Sequence, residues 1–119
     1  DPDLSAQRLY TSLQTRLGFA VPIVISDSFG RPWREGIVNV AIGCCGFDPF
    51  TDYRGQADSA GRILKVTRMA SADALASGAE LACGKLKRAP FVIIRGFNWQ
   101  PSTLTAQALL RPEEKNFFP

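Results

Sequence analysis

The stretch Pro22-Ile23-Val24-Ile25-Ser26-Asp27-Ser28-Phe29-Gly30-Arg31-Pro32-Trp33-Arg34-Glu35-Gly36-Ile37-Val38-Asn39-Val40-Ala41-Ile42 decides how the fold is read. Its opening run Ile23-Val24-Ile25 is short and β-branched, which favours a strand over Pro22–Ser26. The unbroken apolar character suggests burial on both faces. Two glycines and a proline within ten positions make Asp27–Gly36 a poor helix or strand, so a loop is expected there. Ile37–Ile42 then alternates, with Val38, Val40 and Ile42 on one face and Ile37, Asn39 and Ala41 on the other. That period predicts a second strand, closed by Gly43-Cys44-Cys45-Gly46.

Upstream, Leu4, Leu9, Tyr10, Leu13 and Leu17 fall near the spacing of one helical face. Asp3 is placed to act as N-cap, and Gly18 sits where a helix ends. Downstream, Asp48–Asp58 reads as irregular and Arg62–Thr67 as a third strand. Ala74, Leu75, Gly78, Leu81 and Ala82 predict a second helix from about Ser71 to Cys83, with Ser71 or Asp73 as cap and Gly84 as terminator. Phe91–Ile94 carries the strongest strand signal in the chain. A short helix around Thr103–Leu110 and a turn over Glu113–Phe118 complete the pattern. Strands alternating with only two good helices point to an α+β fold: a mixed β-sheet with two main helices packed on it, in a single domain over residues 1–119.

Composition bounds the function. A chain of 119 residues with 45% apolar types has material for one core and is not disordered. A net charge of +3 is too mild to argue for nucleic acid, and aromatic residues are not interleaved with the basic ones. The longest clean apolar run, Phe91-Val92-Ile93-Ile94, is far short of the roughly 20 residues of a membrane span. No basic n-region followed by an apolar stretch opens the chain, so no signal peptide is expected. The absence of histidine excludes a Ser-His-Asp triad, a Cys-His pair or an imidazole-rich zinc site built from this chain alone. The three cysteines, Cys44, Cys45 and Cys83, form no C-x-x-C pair. Packing in a reduced cytosol explains Cys44-Cys45, and a redox role is the alternative. The chain opens on Asp1 rather than methionine, as a piece of a longer protein would.

Four stretches could carry chemistry. Asp27 and Ser28, expected where the first strand ends, offer a carboxylate and a hydroxyl of the kind that Mg²⁺ or Mn²⁺ prefers. Arg31 and Arg34 bring two guanidinium forks suited to phosphate or carboxylate. Against this, Asp27 could cap a turn, Ser28 could satisfy a backbone group, and both arginines could be solvated. In the cluster around Arg54, Asp52 and Asp58 could help bind a metal or an amine, or serve as surface turn residues. Gly84-Lys85-Leu86-Lys87-Arg88 could cradle a phosphate, although no Walker A spacing occurs, or could complement the negative pole of the preceding helix. Arg95 could point into a site from the last strand, while Phe97 and Trp99 cover the sheet.

The run Ile25-Ser26-Asp27-Ser28-Phe29-Gly30-Arg31-Pro32-Trp33-Arg34-Glu35-Gly36, followed by Ala41-Ile42-Gly43, resembles the coenzyme F-420 γ-glutamyl ligase family. The likeness continues through Asp52-Tyr53-Arg54-Gly55, Asp58, Gly61, Ala72-Asp73, Gly84-Lys85, Pro90–Gly96 and Arg111-Pro112-Glu113-Glu114, nearly the whole chain. It implies a GTP-driven amide ligase, in which a substrate carboxylate becomes an acyl phosphate and the amino group of L-glutamate displaces the phosphate. The product would be a γ-glutamyl-extended deazaflavin coenzyme. The resemblance implies Mg²⁺ or Mn²⁺ with K⁺ as a further cation, a cytoplasmic homodimer, and no nucleic-acid or membrane partner. By position, Asp27 would ligate one divalent ion and Ser28, where many members have threonine, a second. Gly84, Lys85 and Leu86 would lie against the nucleotide, while Arg31 and Arg34, from their own guanidinium chemistry, are the expected catalytic cations. Some members have an acidic ligand where this chain has Lys85. Members are also about twice as long, so the chain is expected to be the C-terminal part of such a ligase and inactive alone. A related ligase with another acceptor, or a non-catalytic binding or dimerisation domain, are the alternatives.

Overall fold

The computed structural model describes residues 1–117. Its first helix, α1 (Pro2–Leu17), starts on Asp1 rather than on Asp3. The Asp1 carboxylate accepts the Leu4 N–H at 3.0 Å, and Pro2 fits the first turn because the N–H it lacks would have no helical partner there. Gly18 closes the helix in the left-handed region, φ 77°, with its N–H on the Gln14 carbonyl.

Next comes an antiparallel hairpin, β1 (Ile23–Arg31) with β2 (Arg34–Cys45). The loop expected over 27–36 is therefore mostly strand. Only Pro32 and Trp33 make the turn, with Arg31 opposite Arg34. Proline fixes its own φ, and Trp33 takes the left-handed region at φ 56°. A register shift falls between Gly30 and Arg31. The residues that argue against regular structure thus sit at a bulge and a hairpin tip, where sheets use them. Because the pairing is antiparallel, Ile23, Val24 and Ile25 are half-buried rather than covered on both faces.

A second small sheet pairs β3 (Phe50–Asp52) with β4 (Arg68–Ala70), antiparallel. The strand expected over 62–67 does not form; within it, Ile63 makes one isolated bridge to Ala57. The Asp58 carboxylate accepts the Ala60 and Arg62 N–H groups at 2.8 and 2.9 Å, bending the chain at that point. Regular pairing starts only beyond it. The α+β class holds, with two antiparallel two-stranded sheets in place of one mixed sheet.

The second helix, α2 (Ser71–Cys83), has the expected bounds and ends at Gly84. Its packed face is rotated from the expected one: Ser71, Ala72 and Ala76 are buried, while Leu81 is exposed. Neither Ser71 nor Asp73 caps it, since the N-cap is Ala70 and makes no side-chain bond. Residues 91–94 form no strand and pair with none of the described ones. In the tail, Ala106–Leu109 is a short 3-10 helix capped by Thr105, and Glu113–Lys115 is another. The expected turn over 113–118 ends at Phe118, outside the described residues.

The core is built from small residues around one ring: Ala41, Cys44, Phe47, Ala72 and Ala106, with Val24, Leu75, Phe97, Trp99 and Leu109 packed on it. Phe47 and Phe97 meet edge to face at 6.4 Å. Helix α1 presses directly on β2. A methyl on Gly43 would lie 2.9 Å from the Asp3 nitrogen and nearer still to the Pro2 carbonyl. Asp3, not needed as a cap, accepts the N–H of Cys44 at 2.9 Å and of Ala106 at 3.0 Å. One carboxylate thereby ties α1, β2 and the tail together.

Candidate functional site

The site grows from the contact between α2 and the outer edge of β2. An unpaired strand edge presents main-chain N–H and C=O groups that need partners. Here α2 supplies them from side chains. Asp73 accepts the Ala41 N–H at 2.9 Å, Glu80 accepts the Asn39 N–H at 2.7 Å, and Ser77 donates to the Asn39 carbonyl at 2.8 Å. Asp73, Ser77 and Glu80 are four and three residues apart, so they share one helical face. The helix stands where a third strand would, and it holds Asn39 and Glu80 in fixed positions.

At Gly84, φ 60°, the chain leaves α2 and brings Lys85 back over the hairpin. The Lys85 ammonium lies 2.6 Å from Glu80 Oε1, 2.8 Å from Ser28 Oγ and 3.0 Å from Asn39 Oδ1. Ser28 and Asn39 are opposite one another in the hairpin register. Asn39 also reaches Ser26 Oγ, at 3.4 Å. The Lys85 ammonium holds the Glu80 carboxyl below its usual range, with the Asn39 N–H adding to this against a smaller opposing effect of burial. Ser28 and Lys85, both singled out from the sequence, are thus joined across 57 positions of chain.

The other sequence candidates lie elsewhere. Between the two register shifts the hairpin is regular, and successive side chains alternate across it. Ser26 and Ser28 face the Lys85 side, and Asp27 and Phe29 face the opposite one. Asp27 and Ser28 therefore do not emerge side by side at a strand end: they sit mid-strand, on different faces. The Asp27 carboxylate accepts the Ser28 N–H at 2.7 Å. Arg31 is about 10 Å further along the strand than Ser28, and its guanidinium donates to the Glu35 carbonyl at 2.9 Å, across the hairpin tip. Its Nε is buried without a hydrogen-bond partner. Arg34 is exposed at the tip, and Leu86 is exposed beside Lys85.

This arrangement holds one ammonium, already paired with the Glu80 carboxylate, on an exposed hydroxyl- and amide-lined face. An ammonium has three protons, and three oxygens already receive them, so an incoming phosphate would have to replace one of those oxygens. As a metal site the residues fit only in part. Hard divalent ions want about six or more oxygens, and Asp27 and Ser28 offer one group each from opposite faces. Among the described residues no group of three or more His, Cys, Asp or Glu could hold a metal ion.

Sequence reasoning passed over Asn39 and Glu80. The signals were present: Asn39 is the one amide in an otherwise apolar alternating strand, and Glu80 continues the polar stripe Asp73-Ser77 on a small-residue helix. The remaining clusters are structural. Asp52 is ion-paired with Arg54, whose guanidinium draws its pKa down to about 2. Asp58 makes the turn described above. Lys87 donates to the Ala82 carbonyl at 3.3 Å, in the last turn of α2. Cys44 is fully buried, and burial, aided by the Asp3 charge, pushes its thiol up to about 12. That suits packing and not redox chemistry.

A family model described as F420-0:Gamma-glutamyl ligase matches residues 1–96. The Coenzyme F420:L-glutamate ligase of Methanothermobacter thermautotrophicus is 44% identical over 121 residues, which cover 99% of this chain and 48% of the relative. The protein of that name from Methanocaldococcus jannaschii is 40% identical over 119 residues, with 99% and 48% covered. That from Methanopyrus kandleri is 41% identical over 123 residues, with 99% and 49% covered. The chain spans about half the length of the curated relatives it matches.

Proposed function

The chain belongs to the F420-0:gamma-glutamyl ligase family, and from that membership we propose that it forms one half of a GTP- and metal-dependent ligase joining L-glutamate to a deazaflavin coenzyme precursor. In this reaction the γ-phosphoryl group of GTP passes to a precursor carboxylate, giving an acyl phosphate and GDP. The glutamate amino nitrogen then attacks the acyl carbon. The C–O bond to phosphate breaks, and the nitrogen gives up its proton as the amide forms.

The observation that carries the reading is the meeting of Lys85 with Ser28 on one face of the hairpin. Phosphoryl transfer needs positive charge held in place where phosphate oxygens gather. Glu80 and Asn39 hold the Lys85 ammonium there, and the turn through Gly84 and Leu86 lies beside it as the surface against the nucleotide. At the hairpin tip Arg31 and Arg34 serve as the cations for the carboxylate or acyl phosphate. A divalent Mg²⁺ or Mn²⁺, when bound, neutralises phosphate charge. Asp27 and Ser28 would each contribute one oxygen to such ions, the rest coming from the triphosphate, water and the other half of the ligase. K⁺ is a further cation of the proposal. Because its donor set is partial, the 119-residue chain is inactive by itself. The complete protein works as a homodimer in the cytoplasm. No helix among the described residues is long and apolar enough to cross a membrane.

The test is a phosphate-release assay on the complete ligase with GTP, Mn²⁺, L-glutamate and the deazaflavin precursor. Release that depends on both acceptor and glutamate is expected. No release with any acyl acceptor overturns the proposal, and release with another acceptor only redirects it to a related ligase. The saturated Lys85 ammonium favours one other reading, a non-catalytic binding or dimerisation domain. Calorimetric titration of the complete protein with GTP and Mn²⁺ separates the two, since that domain would give no heat of binding.

A further inference from the structure

We infer that the apolar strip at residues 91–94, with the cavity beside it, is the docking surface for the other half of the ligase fold, which lays a β-strand along it. Exposure along the strip alternates: Phe91 82%, Val92 37%, Ile93 76%, Ile94 45%. A period of two is the signature of a strand with one face on a core and the other open. Yet the strip pairs with no described strand, so its main-chain groups and its outer face both lack a neighbour. Beside it lies a mostly apolar cavity of about 460 Å³, lined by Phe91, Val92, Ile93 and Ile94 together with Leu75 and Phe97, and reaching Ser26, Asn39 and Glu80 of the candidate site.

The molecule as a whole is short of a covering surface. The chain exposes 9132 Å², whereas a compact monomer of its mass exposes about 6,300 Å². Its radius of gyration is 15.8 Å, against about 13.5 Å for a compact domain of this length. The excess of about 2,800 Å² is the size of one side of a large obligate interface. The relatives supply the occupant, since roughly half of their length has no counterpart in this chain.

Charge argues against a second copy. Lys85, Lys87 and Arg88 precede the strip and Arg95 follows it, with no acidic residue between Gly84 and Phe97. Antiparallel pairing of two copies would set these basic ends against each other, which is destabilising. A partner strand flanked by acidic residues fits. The inference rests on family membership and coverage, not on the proposed reaction, and its test does not read turnover.

The probe is the part of the Methanothermobacter thermautotrophicus relative lying outside the matched 121 residues, both mixed with the chain and fused to it. Hydrogen exchange and light scattering are the readouts. Expected are a one-to-one complex and exchange at residues 91–95 slowed at least about tenfold in both formats. The double variant Phe91→Glu, Ile93→Glu, which alters the two most exposed side chains of the strip, at the cavity rim, and should keep the circular dichroism of the parent, should abolish the complex. Three results overturn the inference: unprotected 91–95 amides in mixture and fusion alike, a complex indifferent to the double variant, or the chain alone dimerising with 91–95 protected.

Discussion

Replacing Asp3 with alanine should unfold the chain far more easily than removal of a surface carboxylate. The carboxylate accepts two main-chain N–H groups, of Cys44 and Ala106, at 2.9 and 3.0 Å. Hydrogen bonds to a charged group contribute about 1.5–3 kcal/mol each. Taking the lower figure, because Asp3 is only half-buried, the loss is about 3 kcal/mol. With a urea slope of about 1.5 kcal/mol/M the midpoint falls by about 2 M. Burial raises the Asp3 pKa, but the Cys44 and Ala106 donors outweigh it and leave the folded value below 3.8. A carboxyl depressed in this way contributes stability that is complete above its unfolded pKa and disappears as pH falls through its folded one. The gap between wild type and Asp3→Ala should therefore be widest near pH 7 and should narrow below about pH 4 without vanishing, since a protonated carboxyl still offers an acceptor oxygen. Asp3→Asn, which keeps one acceptor oxygen without the charge, should lose about half as much. Urea titrations at several pH values measure this. A loss under about 1 kcal/mol at pH 7, or a gap that stays constant into acid, would refute the account of Asp3 as the tie between α1, β2 and the tail.

Four further outcomes rest on the same geometry. Gly43→Ala should lower the melting temperature, because the methyl meets the Pro2 backbone and overpacking costs about 1–3 kcal/mol. Gly78→Ala, with nothing within 4 Å of the new methyl, should raise it by stabilising the helix by about 0.5–1 kcal/mol; paired melts give the two signs. In thiol titration at pH 8, Cys44 should stay unreacted until urea is added while Cys83 reacts, since a thiol with a pKa of about 12 holds almost no thiolate. Lys85→Met should lower the melt of this chain only modestly, since the ammonium is half-exposed and the mostly covered Glu80 keeps the Asn39 N–H. In the complete ligase it should slow phosphate release at least about tenfold, and unchanged release would remove Lys85 from the site.

Much of the fold was legible because much of it is local. Helix α2 ends at Gly84 as read, and Gly18 ends α1, because a helix carries its hydrogen bonds and its stop signals within its own sequence. The packed face of α2 differs from the one its spacing predicts, because tight contact with β2 selects Ala72 and Ala76 over larger Leu81. The hairpin was half legible. Its strands were seen, but glycine and proline in 27–36 read as loop when they mark a bulge and a two-residue tip.

The order of residues by itself determined the α+β class, the helix ends and, through the 25–36 run, the family. Tertiary structure alone decided that Ser28 and Asp27 part to opposite faces, that Lys85 returns to Ser28, and that 91–94 stays unpaired. The physical reason is the range of the forces involved. Capping and helical hydrogen bonds act within a few residues, so composition reveals them. Strand register, edge satisfaction and ladder pairing need a second segment, and nothing in a strand's own residues names its neighbour.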